Sequence, residues 1–356
     1  LERLDIFRDI AERTGGDIYI GVVGGVRTGK SVFIKRFMDL LVLPNIKNVY
    51  DRERAKDELP QSGTGRTVMT TEPKFIPNEA VEIAITPTLK VKVRLVDCVG
   101  YRVEGALGYD DEDGPRMVST PWFEEPIPFQ EAAEIGTRKV IADHSTIGIV
   151  VTTDGSITDI PRENYVDAEE RVIGELKDIN RPFLVVLNST RADDQKTLDL
   201  ARELGAKYDV PVLPVNCVEM GQEDILRILE EVLYEFPVNE VNIALPGWVE
   251  ELESRHWLRV KFEDAVKSAV GQVRRLRDVG GATEQLGTCE FVQDVVVRRL
   301  DAGTGLVSMD VTAPPALFYQ VLSEETGFTV GNETQLLKVM KDLGLAKREF
   351  DKVADA

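Results

Sequence analysis

Residues 24 to 31, GGVRTGKS, fit the pattern G-x-x-x-x-G-K-[ST], with an apolar strand-like run before them and a helical run after. Glycines at this spacing let successive backbone N–H groups turn inward around a phosphate. Lys30 then reaches the β- and γ-phosphates, Ser31 offers an oxygen to Mg²⁺, and the helix N-terminus adds a favourable field. Nucleotide contacts are expected along the loop and into the helix, at Gly24, Gly25, Val26, Arg27, Thr28, Gly29, Lys30, Ser31 and Val32.

A second constellation lies in VRLVDCVGY, where Asp97 ends an apolar strand and Gly100 follows at D-x-x-G spacing. An aspartate there holds Mg²⁺ through water, and the glycine amide can sense a γ-phosphate. Between the two motifs, TVMTTEP offers Thr70 and Thr71 as hydroxyls that close on Mg²⁺ and γ-phosphate; the sequence does not choose between them. Two residues depart from the common switch pattern. Tyr101 stands where many such enzymes place a water-orienting glutamine, which predicts slow hydrolysis or an orienting group from elsewhere. Arg27 lies inside the loop, either as an arginine finger supplied in cis or turned outward to solvent or the acidic YDDED at 109–113.

The base edge is read from FLVVLNSTRADD. Guanine-specific sites carry Asn-Lys-x-Asp here, the Asp accepting from guanine's ring N–H and exocyclic amine. This chain keeps Asn188, which can still touch a purine edge, but has Ser189 and Arg191 in place of the Lys and Asp. Losing a charge-assisted pair costs roughly 1.5–3 kcal/mol. The later PVNCVE also differs from the Ser-Ala-Lys of guanine sites, so adenine or weak discrimination follows.

The elements that must position these groups alternate strand and helix up to Pro237, which means crossover connections and a mostly parallel sheet. VEIAITPTLKVKVRLVDCVG reads as two strands around a turn near Pro87. We expect a P-loop α/β domain of the GTPase-like (TRAFAC-type) fold over residues 1–236 and a smaller α+β domain over 237–356. In the second domain, WVEELESRHWLRVKFEDAVKSAVGQVRRLRDV reads as one long helical stretch followed by a Gly-rich break, two alternating strands and a final helical part. The helical pattern is still running at the last residues, as in a chain cut from a longer one. Of the 356 residues, 43% are hydrophobic, enough for two cores, and the formal charge is −19 with acid in excess in both halves. Neither half offers a basic face, which argues against nucleic acid and against direct attraction to anionic lipid. No apolar run is long enough to span a bilayer, and Cys98, Cys217 and Cys289 read as reduced thiols of a cytosolic protein. His144 and His256 are far apart, so metal or triad chemistry on histidine has little support; Trp122 and Phe123 read as core packing or a polymer contact.

Several long blocks, among them GVVGGVRTGKSVFIKRFM, ELPQSGTGRTVMTTEPKF, RLVDCVGYRVEGALGYDDEDGPRM and HSTIGIVVTTDGSITDI, closely resemble the stage IV sporulation protein A family. The likeness continues through RHWLR and RRLRDV in the second half. The resemblance implies an ATPase of endospore-forming bacteria whose GTPase-like fold has turned to ATP, with hydrolysis driving assembly into filaments. Those filaments form the basement layer of the spore coat on the mother-cell side of the outer forespore membrane. It assigns Lys30 to phosphate, Asp97 to Mg²⁺, and Thr70 and Thr71 to the sensor role. It also implies self-association, other spore coat proteins as partners, and indirect membrane docking on a small amphipathic peptide, stage V sporulation protein M. Family members extend beyond residue 356 into a C-terminal domain thought to help that docking. On the residues alone, a regulatory GTPase-type switch that binds an effector, or a nucleotide-binding scaffold without useful catalysis, remains the alternative.

Overall fold

A computed structural model describes residues 3–60, 73–84, 90–111, 114–120 and 123–354. The chain divides into two units, Leu1–Pro237 with Ala302–Thr304, and Val238–Asp301 with Gly305–Ala356. Along the first unit come α1 (Arg3–Thr14), β1 (Asp17–Val23), α2 (Lys30–Phe37), α3 (Val49–Asp57), β2 (Lys74–Ala84) and β3 (Lys90–Asp97). They are followed by α4 (Phe129–Asp143), β4 (Ile147–Thr153), α5 (Val166–Asp178), β5 (Phe183–Asn188), α6 (Gln195–Tyr208), β6 (Val212–Val215) and α7 (Gln222–Tyr234).

These strands form one sheet in the order β6–β5–β4–β1–β3–β2. Only β2, at the edge, runs antiparallel; the other neighbours are parallel. Every residue of β4 and β5 is buried, which is why IGIVVTT and FLVVLN show unbroken apolar runs rather than alternation. The expected α/β class is the one observed. Because β1, β3, β4 and β5 are parallel and close together, their C-terminal ends open on one edge of the sheet. The register places Asp97 opposite Val22 and Asn188 opposite Thr153. The segments following these strands are thereby gathered at that edge. α2 buries Lys30, Phe33, Ile34 and Phe37, then widens into a π-helical turn at Met38–Val42.

The second unit contains β7 (Glu240–Ala244), α8 (Trp257–Val270), α9 (Val279–Gly287), β8 (Asp294–Asp301), β9 (Leu306–Thr312), α10 (Pro315–Thr326) and α11 (Glu333–Ala354). Its three-stranded sheet has the order β7–β9–β8, with β7 parallel and β8 antiparallel to β9. The core gathers Val249, Leu258, Phe262, Leu286 and Val311, with Phe262 edge-on to Phe291 at 4.8 Å between centroids. The long helical stretch expected from residue 248 is broken. His256 Nδ1 accepts the Leu258 N–H (3.2 Å), capping the start of α8, and the helix ends at Gly271. Asp278 then accepts the Arg274 and Arg275 amides (3.0 and 2.8 Å), fixing a turn. Gly280 and Gly281, read as a break, instead stand in the first turn of α9, where glycine costs less than in a helix interior.

Tyr101, Tyr109, Tyr165 and Tyr208 are all buried, and burial is the first cause lifting each phenol above its ordinary range, Tyr208 to about 12. A phenol raised in the folded state keeps its proton where the unfolded chain has lost it. Stability therefore falls as pH rises from about 10 toward 12. Urea denaturation at pH 9 and pH 11 is expected to give the lower midpoint at pH 11, and Tyr208→Phe to reduce the difference.

Candidate nucleotide site

The loop joining β1 to α2 turns into its helix through Gly29, whose φ of 97° is left-handed. A Cβ at Gly29 would lie 2.2 Å from Asn188 Nδ2, so the position admits only glycine. Lys30 is 5% exposed, and its Nζ donates to the Gly25 carbonyl (2.7 Å), which also accepts from Thr28 Oγ1 (3.0 Å). Burial holds the ammonium below its ordinary value, opposed by Cys98 and Asp97. Gly100 backs directly onto this lysine: at φ 98°, a Cβ there would fall 2.5 Å from the Gly24 oxygen and 2.6 Å from Lys30 Nζ.

Asp97, delivered by the end of β3, accepts from Ser31 Oγ through Oδ2 (2.8 Å). It is 2% exposed; burial lifts its carboxyl above the ordinary range, with Lys30 and Ser31 pulling the other way. Its Oδ1 is buried and accepts no hydrogen bond from the described residues. A buried carboxylate oxygen lacking a donor, beside a serine oxygen on a phosphate-type loop, fits a hard divalent cation. Among the described residues, no group of three or more His, Cys, Asp and Glu side chains could hold a metal by itself. Mg²⁺ bound to nucleotide phosphates takes most of its oxygens from phosphate and water and needs few from side chains.

The remaining residues expected at the site take different positions. Val26 is buried, and its N–H donates to the Tyr101 carbonyl (2.9 Å) rather than into the loop. Val32 is half-buried on the first turn of α2. Arg27 is half-buried with a left-handed φ of 63° and interacts electrostatically with Tyr165. Thr70 and Thr71 lie outside the described residues, as does Trp122.

Tyr101 does not face the loop. Its side chain, 2% exposed, packs in the cluster that contains Val26, Val103 and Ala168, while its hydroxyl donates to Glu175 and Arg171 lies over its ring at 4.3 Å. The residue in the glutamine position is thus a core anchor. Asn188 is a strut: Nδ2 donates to the Thr28 carbonyl (3.0 Å) and Oδ1 accepts the Cys217 N–H (3.1 Å), joining the loop to the segment after β6.

A polar network beside Asn188 escaped the sequence reading. Asp154, just past β4, accepts from Ser189 Oγ (2.6 Å) with one oxygen and from Ser156 Oγ (2.6 Å) and N–H (2.9 Å) with the other. Ser189 Oγ and Ser156 Oγ then accept the Arg191 and Thr190 amides (2.9 and 3.0 Å). The signal available in the sequence was an aspartate ending the apolar run TIGIVVTTD, the same pattern that gave Asp97. The Arg191 side chain is 77% exposed, with Asp194 at 3.9 Å.

Two substitutions test these assignments. Tyr101→Gln, which supplies the water-orienting residue type, is expected to cost about 3 kcal/mol in chemical denaturation and to leave phosphate release no faster, because the position points into the core. Asn188→Ala strands a buried carbonyl and a buried N–H, and is expected to cost about 2–3 kcal/mol and to weaken nucleotide binding, read by denaturation and nucleotide titration.

The family description "Stage IV sporulation protein A, ATPase domain" matches residues 1–237, and "Stage IV sporulation protein A, middle domain" matches residues 238–356. The chain is 54% identical over 356 residues to Stage IV sporulation protein A of Bacillus subtilis (strain 168), covering 100% of this chain and 72% of that protein. It is 51% identical over 352 residues to the protein of that name from Clostridioides difficile (strain 630), covering 99% and 72%. A crystal structure of an SsGBP mutation variant is 16% identical, with a TM-score of 0.34 over 64% of this chain and 60% of that one. With both descriptions matched end to end and relatives above half identity, the chain belongs to the stage IV sporulation protein A family and carries its ATPase domain followed by its middle domain.

Proposed function

We propose that this protein binds Mg²⁺-ATP on its ATPase domain, hydrolyses it slowly to ADP and phosphate, and assembles into filaments that form the basement layer of the spore coat. The observation that carries the nucleotide reading is the Ser31–Asp97 pair beside Lys30, with one buried Asp97 oxygen lacking a donor. On binding, Lys30 exchanges the Gly25 carbonyl for β- and γ-phosphate oxygens, which keeps its buried ammonium paired throughout. Ser31 and Asp97 hold the cation. What Mg²⁺ supplies there is neutralisation of charge on the β- and γ-oxygens. Arg27 adds a guanidinium in cis, and Thr70 and Thr71 close on the γ-phosphate. Tyr101 is committed to the core, so that position orients no water, in keeping with slow turnover.

Preference for adenine is supported by Arg191, a cation where guanine sites carry an acceptor; it cannot accept from guanine's ring N–H or amine. Family membership supports the assembly reading. Loss of the γ-phosphate releases the closed sensor loop and reshapes a surface for the next subunit. Among the described residues no helix is long and apolar enough to cross a membrane, and the charge of −19 opposes anionic lipid. On this reading the layer reaches the outer forespore membrane from the mother cell through an adaptor, the amphipathic peptide stage V sporulation protein M, beneath the other coat proteins.

Phosphate release with Mg²⁺-ATP is expected to exceed that with Mg²⁺-GTP by roughly tenfold or more, the loss of one charge-assisted pair. Lys30→Ala is expected to abolish it, and material that sediments after ATP addition is expected to disappear in the same variant. GTP turnover equal to or above ATP turnover would sink the adenine reading; turnover without sedimentable material would sink the assembly reading alone.

A further inference from the structure

The last helix, α11, carries an apolar stripe that its own unit leaves largely uncovered. Leu336, Val339, Leu343, Ala346, Phe350 and Val353 follow at alternating steps of three and four residues, the spacing of a coiled-coil seam. Leu336 and Val339 are half-buried, but Leu343 is 43% and Phe350 70% exposed. From residue 340 to residue 352, every position of the helix is exposed. A row of large side chains open to water in this way marks an interaction face.

The charges beside the stripe select the occupant. With Leu336 at position a, the g positions are Gln335, Asp342 and Glu349, and the e positions include Met340 and Lys347. In a parallel pair of identical helices, each g residue meets the e residue five places on in its partner. Asp342 of one copy then faces Lys347 of the other, twice by symmetry. In an antiparallel pair g faces g, which sets Asp342 against Glu349, acid on acid. We infer that α11 is a parallel helix-pairing surface for a second copy of this chain. The surface lies wholly in the middle domain, so the pairing needs no nucleotide, and its failure would leave the ATPase and filament readings standing.

Sedimentation velocity of the nucleotide-free full chain is expected to show a concentration-dependent dimer. Asp342→Lys replaces two attractions with two repulsions and is expected to weaken the dimer roughly tenfold, while Asp342→Lys/Lys347→Asp restores it. These surface changes are expected to leave the circular dichroism spectrum intact, which separates lost pairing from lost folding. Phe350→Cys is expected to form an interchain disulfide under mild oxidation, absent from the unmodified chain. Parallel pairing brings the two positions within the limit of about 7 Å between Cα atoms, whereas antiparallel pairing holds them about 16 Å apart. A monomer at all concentrations, a dimer indifferent to the charge exchange, or no disulfide through residue 350 would each overturn the inference. So would a monomer whose residue-350 thiol resists a thiol reagent, which would place the helix's partner within the same chain.

Discussion

Gly100 and Tyr101 lie directly against the phosphate loop, the Tyr101 N–H donating to the Gly24 carbonyl (3.2 Å) and the Tyr101 carbonyl accepting from Val26 N–H (2.9 Å). The rest of the site depends on that close approach of two backbones. It leaves no room for a Cβ at Gly100, whose place is filled by the Gly24 carbonyl and the Lys30 ammonium. Three residues upstream in the same segment, Asp97 is brought within reach of Ser31. The Tyr101 side chain locks the approach from behind, where Glu175 and Arg171 on α5 hold its hydroxyl and ring. The buried tyrosine is thereby fixed in the core. The result is a rigid join between the loop and the D-x-x-G segment.

The same economy governs the opposite side of the loop. Asn188 spends one donor and one acceptor on Thr28 and Cys217, so it acts first as a brace between strand ends. Ser189 occupies the place of the usual lysine and turns inward to Asp154, and Arg191 turns outward. At Ser189 a short hydroxyl-to-carboxylate bond stands where the guanine motif has a long cationic side chain.

A net charge of −19 makes copies of this chain repel at long range, so any self-association must come from short-range apolar contact and local charge pairing. The middle domain carries such a combination on α11, where an apolar seam is flanked by acid on one side and Lys347 on the other.

Much of this was legible along the chain because it depends on local order. Strand and helix alternation gave the α/β class, since buried parallel strands need continuous apolar runs. G-x-x-x-x-G-K-S and D-x-x-G gave Lys30, Ser31, Asp97 and Gly100, since a loop that wraps phosphate allows few residue types at fixed spacing. Where pattern alone was used for the second domain, it ran α8 on through residues 271–278 and read the glycines of α9 as a break; helical periodicity continues through 271–278, and the turn there is made by Asp278 capturing two amides. The sequence by itself therefore determined where the glycine-rich loop lies and the class of sheet that presents it. Only the tertiary structure decided that Tyr101 is an anchor, Asn188 a strut and Asp154 the acceptor that ties Ser156 to Ser189. Those roles are set by which distant backbone or side chain stands within about 3 Å, and distance across a fold is not written in spacing along the chain.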